Sequence, residues 1–212
     1  MPKIFIWGAS GHAKVVAEIV RLTGRCEIAG FVDDTPSAAA TFLGLPVFHH
    51  MHELPAASAA DPVLAVVAVG DCRARMRIAQ KLEEHGLKLS SAVHPQAVVS
   101  AGASLGDGTV VMAGAVVNPG AVLGTNVIVN TGATIDHDCS IADGVHVGPG
   151  AHLGGWVTVG RGTWLGIGAI VRDRVTIGKG AVIGAGAVVV CDIPDHVMAL
   201  GVPAKPVKEM PS

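Results

Sequence analysis

Asp136-His137-Asp138 sets one imidazole between two carboxylates. A neighbouring carboxylate favours a basic, oriented ring, which is what proton abstraction requires. Eighteen residues further on stands Gly155, whose backbone N–H has no side chain to obstruct it and would suit an oxyanion developing beside that base. A merely solvated polar corner is the competing reading. A second candidate lies near the start of the chain. Gly8-Ala9-Ser10-Gly11 follows an apolar strand and opens a helix, so its N–H groups are placed for a phosphate. Asp33-Asp34 then stands where an acidic residue holds a ribose in dinucleotide folds. The GxGxxG pattern is incomplete, and a tight glycine turn without a ligand stays open beside it.

The elements that must hold these residues announce themselves by period. From Val99 to Val189 an aliphatic residue recurs at every sixth position, sixteen times without a miss. This is the hexapeptide repeat of a parallel β-helix, in which three short strands make one triangular coil. Residues eighteen apart therefore stack at roughly 4.8 Å, the spacing of neighbouring strands, which brings His137 and Gly155 together. In each hexad the aliphatic residue and the residue two before it point inward, and the one between them points out.

Sorted by coil, the outward residues define three faces. Ser104, Val122, Ser140, Thr158 and Thr176 suit water, whereas Val110, Ile128, His146, Trp164 and Val182 form a second face and Val116, Thr134, His152, Ile170 and Val188 a third. Two adjacent apolar faces are too large a patch to leave wet, so a cyclic homo-oligomer burying both is expected, and threefold symmetry suits a prism. Two columns of corners are glycine-rich, as at Gly160-Arg161-Gly162 on one and Gly166-Ile167-Gly168 on the other. The third reads Asp136-His137-Asp138, Gly154-Gly155-Trp156 and Arg172-Asp173-Arg174. A tight corner that discards glycine answers to more than the turn, which marks it as the candidate site. His146, half a coil from His137, cannot reach it within one chain and reads equally as interface packing or as a ligand contact. His152 reads as interface packing, and Cys139, at an inward position, as a buried small hydrophobe.

Ahead of the hexads the pattern is α/β. Apolar strands at 3–7, 27–32, 63–69 and 88–93 alternate with helical spacing over 12–23 and 71–85, the latter with Asp71 as N-cap. Strands alternating with helices imply a small parallel sheet, a Rossmann-like unit. The stretch 35–61, rich in Pro, Ala and Ser, reads as loops with at most one short element. The expected organisation is an α/β domain over 1–94, a β-helix over 95–195 that carries the candidate catalytic corner, and an extended closing tail over 196–212.

Composition excludes several classes. A net charge of −2 gives no footprint for nucleic acid. No apolar run reaches the roughly 18 residues of a membrane span, and the start carries no leader pattern, so no membrane insertion and a cytoplasmic location are expected. The four cysteines form no CxxC pair, so neither a disulfide framework nor a zinc knuckle is indicated.

The unbroken hexads, the His137-Asp138 step, the opening Gly8-Ala9-Ser10-Gly11-His12 and the closing Gly201-Val202-Pro203-Ala204-Lys205 together resemble one bacterial family over nearly the whole chain. It is the sugar acetyltransferases of the sialic-acid O-acetyltransferase type. The family includes the N-acetyltransferases acting on UDP-4-amino sugars of the bacillosamine pathway and on GDP-perosamine. The resemblance implies a left-handed β-helix, a homotrimer with sites between subunits, and acetyl-CoA as co-substrate without a metal. It implies His137 as general base, Asp138 raising its basicity, and direct attack of a sugar amine on the thioester, in surface-glycan or glycoprotein sugar biosynthesis. It places His146, Gly155, Ile167 and Ala185 along acetyl-CoA, and Ser10, Gly11, His12, Asp33, Asp34 and Gly70 on the nucleotide-sugar. Ala185 stands where some relatives have glycine, which matters little for a backbone contact. Lys205 reads as a solvated tail lysine, with a CoA phosphate as the alternative. Three other readings stay open: O-acetylation of a sialic acid, a zinc enzyme of the γ-carbonic anhydrase kind using His137, His146 and His152, and a non-catalytic dinucleotide sensor or scaffold.

Overall fold

The computed structural model describes residues 1–35, 39–55 and 63–211. The α/β part is one six-stranded sheet with the order Thr41–Phe42, Leu45–Phe48, Glu27–Val32, Lys3–Trp7, Leu64–Val67, Lys88–Leu89. All neighbours are parallel except the hairpin of the first two strands. Two helices join its strands, α1 (Gly11–Thr23) and α2 (Cys72–Glu84). The Asp71 side chain accepts the Ala74 N–H at 2.7 Å and caps α2. The hairpin and a short 3-10 turn at Met51–Glu53 fill a region where the sequence predicts at most one short element. The remainder of that prediction, at 36–38 and 56–61, lies outside the described residues.

A left-handed parallel β-helix follows. Its rungs pair eighteen apart without a slip: Val110, Ile128, His146, Trp164 and Val182 stack in one sheet, and Thr134, His152 and Ile170 in another. The inward aliphatic column is almost wholly excluded from solvent and forms one continuous core. Where one strand over 88–93 is expected, there are two of two residues each. Lys88–Leu89 edges the α/β sheet, and Ala92–Val93 is the first rung of the solenoid, paired with Val110–Val111. The tail closes the other end: Val197–Leu200 stacks on Val182–Ile183 and turns back as Lys205–Glu209.

The expectation that two apolar faces await a partner needs correction. Val110 and Ile128 are completely buried in one core with Ala13, Val16, Ala17 and Val20 of α1. His146 is also buried, so the chain's own α/β part covers most of the second face. The third face, with Ile170 46% exposed and His152 open, remains as an apolar surface, and on the second face Trp164 stays 48% exposed.

Candidate active site

The His137 edge is a backbone ladder in which Asp138, Trp156 and Arg174 donate in turn to the carbonyls of Pro119, His137 and Gly155. Asp138 holds left-handed backbone, and its carboxylate lies over Gly120, where any Cβ would collide with it. From there Asp138 Oδ2 meets His137 Nδ1 at 2.9 Å. A carboxylate only accepts, so Nδ1 carries the proton and Nε2 presents its lone pair. The ring tip lies against Gly155: a Cβ built there would stand 2.7 Å from both Nε2 and Cε1. Among the described residues no hydrogen bond uses the Gly155 N–H. Asp136 plays a different part from that implied by its place beside the histidine. Its Oδ1 accepts from the His137 backbone N–H at 2.8 Å and from Asn118 Nδ2 at 2.9 Å. These bonds, the backbone one foremost, lower its pKa, so Asp136 fixes the corner rather than the ring. The edge opens on a cleft of about 590 Å³ lined by His137, His152, Gly155, Trp156, Ile170 and Arg172.

The second candidate forms where the strand order of the α/β sheet reverses, at the carboxyl ends of Lys3–Trp7 and Leu64–Val67. Ligands of open α/β sheets bind at such a point. Gly8 (φ 111°) passes so close to the adjoining strand end that a Cβ would stand 2.8 Å from the Ala68 carbonyl oxygen. The Ala9 N–H donates to Asp33 Oδ2 at 2.9 Å. Burial alone would raise the Asp33 pKa, but hydrogen bonds from Thr35 and Ala9 outweigh it and hold the carboxyl below its ordinary value. Ser10 takes the N-cap position of α1 without a side-chain cap bond, Gly11 faces open space, and Asp34 is exposed.

Beneath this loop lies a polar cluster centred on a residue that the sequence reading did not single out. Arg75 is completely buried, and its guanidinium donates to the carbonyls of Val69 and Gly70 on one side and of Asn126 and Gly144 on the other, at 2.7–3.1 Å. It thus joins the candidate loop to the solenoid. The Gly70 carbonyl also accepts from His146 Nδ1 at 3.2 Å, leaving Nε2 to accept from Asn130 Nδ2 at 3.1 Å. The His146 ring stacks on Trp164 with centroids 5.8 Å apart. With both nitrogens engaged, His146 cannot act as a third imidazole beside His137 and His152. Burial, then the Arg75 charge, depress the pKa of His146 to about 4 and likewise that of His12, whose Nε2 is buried without a partner.

The residues singled out in the sequence therefore fall into three groups. His137, Asp138 and Gly155 meet on one edge. Ser10, Gly11, His12, Asp33, Asp34, Gly70 and His146 gather around the switch point and the second face. Ile167 and Ala185 are exposed one coil apart on another edge, where Gly186 donates to the Ile167 carbonyl at 2.8 Å. The first and last groups flank the open third face and do not touch within one chain.

Comparison with known proteins supplies the chemical context. Residues 3–82 match the PglD N-terminal domain, and residues 157–191 match the bacterial transferase hexapeptide (six repeats). A histidine-to-asparagine variant of perosamine N-acetyltransferase from Caulobacter crescentus, solved with CoA and GDP-perosamine, is 42% identical. The match covers 99% of this chain and 98% of that one, with a TM-score of 0.92. The acetyltransferase domain of PglB from Neisseria gonorrhoeae, solved with acetyl coenzyme A, is 43% identical over 97% of this chain and 98% of that one, with a TM-score of 0.88. UDP-N-acetylbacillosamine N-acetyltransferase from Bacillus subtilis is 35% identical over 119 residues, 53% of this chain and about half, 52%, of that relative.

Proposed function

Because the chain belongs to the hexapeptide-repeat sugar N-acetyltransferase family, we propose that it moves an acetyl group from acetyl-CoA to the amine of a nucleotide-linked 4-amino-4,6-dideoxy sugar. The observation that carries the reading is the His137 edge. Asp138 fixes the protonated Nδ1, and Nε2 stands free over a bare glycine backbone. In the proposed reaction Nε2 takes a proton as the sugar nitrogen attacks the thioester carbonyl, and the Gly155 N–H meets the oxyanion. Collapse then breaks the C–S bond, and the thiolate recovers the proton from the imidazolium. No acyl-enzyme is needed, and Cys139, buried with its thiol donating to the Gly154 carbonyl at 3.2 Å, is no nucleophile.

The proposed nucleotide site is the switch point, with Ser10, Gly11 and the start of α1 toward the phosphates and Asp33, Asp34 and His12 around the nucleoside. Gly70 bounds it on the adjoining loop. His146, Ile167 and Ala185 are proposed along acetyl-CoA. This arrangement needs a homotrimer, since only a neighbouring copy brings an Ile167–Ala185 edge against a His137 edge.

Thiol release from acetyl-CoA, measured against GDP- and UDP-linked 4-amino sugars and free sialic acid, tests the reading. Turnover is expected with a nucleotide-linked amine and not with sialic acid. Replacing His137 with Ala should lower kcat by roughly 10²- to 10⁴-fold while leaving the assembly intact. Near-parental activity in that variant would remove His137 from its role.

A further inference from the structure

The edge that carries His137 is built unlike the rest of the solenoid. Successive coils place Asp138, Trp156 and Arg174 in left-handed backbone, at φ 58°, 57° and 60°. One coil earlier the same position is Gly120, and the left-handed corners of the other two edges are glycine except Asn126 and, at the closing turn, His196. Glycine adopts that conformation freely, whereas for a bulky side chain it is an outlier. Such strain persists where the surroundings over-determine it, and it gathers at functional sites. Asp138 has its reason in the bond to Nδ1. Trp156 calls for another.

Its indole stands perpendicular to the His137 imidazole, with centroids 4.4 Å apart and an interplanar angle of 89°. The Arg174 guanidinium carbon lies 4.3 Å from the centroid of the Trp156 ring. Trp156 remains 47% exposed and walls the same cleft as Gly155, so burial of apolar surface does not explain its place. An imidazole held by one hydrogen bond can still pivot about it. A ring set edge-to-face beside it removes that freedom, and a cation stacked on the indole keeps the ring from swinging out.

We infer that Trp156 is a positioning residue for acetyl transfer: clamped by Arg174, it locks the His137 ring so that Nε2 stays over the Gly155 backbone. The inference rests on His137 being the base proposed above. Misplacing a reacting group by a fraction of its working distance costs rate rather than binding, so the effect belongs in kcat.

The test compares Trp156→Asn and Trp156→Phe with His137→Ala and the parent, using whichever nucleotide-linked amine the parent acetylates. Asparagine tolerates left-handed backbone, as Asn126 does here, so the fold is not asked to bear a new strain. Trp156→Asn should keep the parent's melting temperature and lower kcat roughly 10- to 100-fold, with the KM for acetyl-CoA changing less than about twofold. Trp156→Phe should recover kcat to within about threefold of the parent, because a flat ring again flanks the imidazole. An inactive His137→Ala beside a fully active Trp156→Asn would overturn this inference alone. So would a loss that phenylalanine fails to recover. An active His137→Ala would instead overturn the base assignment, and this inference with it.

Discussion

His12 and His146 sit beneath the switch-point loop, where burial and the Arg75 charge act together against protonation. Their pKa values near 4 lie well below the ordinary 6.5. The unfolded chain would thus bind up to two more protons than the native one between those values. Stability rises with pH wherever the unfolded state holds more protons. Their contribution is accordingly complete above about pH 6.5 and lost as the pH falls toward 4, at a slope of up to about 3 kcal/mol per pH unit for two protons. Thermal melts from pH 4 to 8 should show a midpoint that is level at the upper end and falls through this window. The double variant His12→Asn, His146→Gln should flatten the fall. Parallel curves for parent and variant would mean that neither imidazole is held neutral. His137 differs in kind: it is half-exposed and bonded through Nδ1 to the Asp138 carboxylate, whereas both nitrogens of the buried His146 are engaged.

At the scale of elements, α2 shows what a sequence can and cannot disclose. Its extent and its Asp71 cap follow from local chemistry, and the hexads follow from a period that geometry enforces at every coil. The pairing of His137 with Gly155 was legible for the same reason, since eighteen residues make one turn. Arg75 was not, although Cys72, Ala79 and Leu82 place it on the buried stripe of its helix. An arginine on such a stripe reads as an error of register until its acceptors are known, and those are backbone carbonyls up to 70 residues away. Nor does any local pattern say that α1 covers the second face of the prism while α2 abuts the edge at Asn126 and Gly144. The edge-to-face contact of Trp156 was equally hidden, because a corner sequence carries no side-chain orientation. Arg75→Met keeps the volume but leaves the carbonyls of Val69, Asn126 and Gly144 without donors, in a site too dry to replace them. By analogy with breaking a buried charged pair, it should cost about 3–5 kcal/mol in denaturant unfolding and raise the KM for the nucleotide-sugar through the freed Gly70 loop. Unchanged stability would mean that water reaches this junction.

For the whole molecule, the decisive fact is that one prism face is left without cover. The α/β part lies over most of the second face, and serines and threonines suit most of the first to water, so the third face is the seam on which an assembly is expected. That face runs between the His137 edge and the edge bearing Ile167 and Ala185. A cyclic trimer built on it would set the base of one copy against the neighbour's proposed acetyl-CoA path, making three composite sites from three incomplete ones. Association and activity should therefore fail together. Ile170 lies on the third face, one coil beyond His152 in the same column, and is half-exposed in a single chain. Ile170→Glu would bring three carboxylates toward one symmetry axis in an apolar seam. Burying a charge without a partner costs several kcal/mol, enough to oppose assembly at micromolar concentration. Sedimentation velocity should show the parent as a trimer and this variant as a monomer. The monomer should keep its melting transition for the α/β part and solenoid yet lose acetyl transfer by more than about 10²-fold, the scale of losing substrate positioning. Trp164→Glu, on the second face beside His146, should leave the trimer intact and serves as the control. A monomeric Ile170→Glu protein with parental turnover would place the whole reaction within one chain.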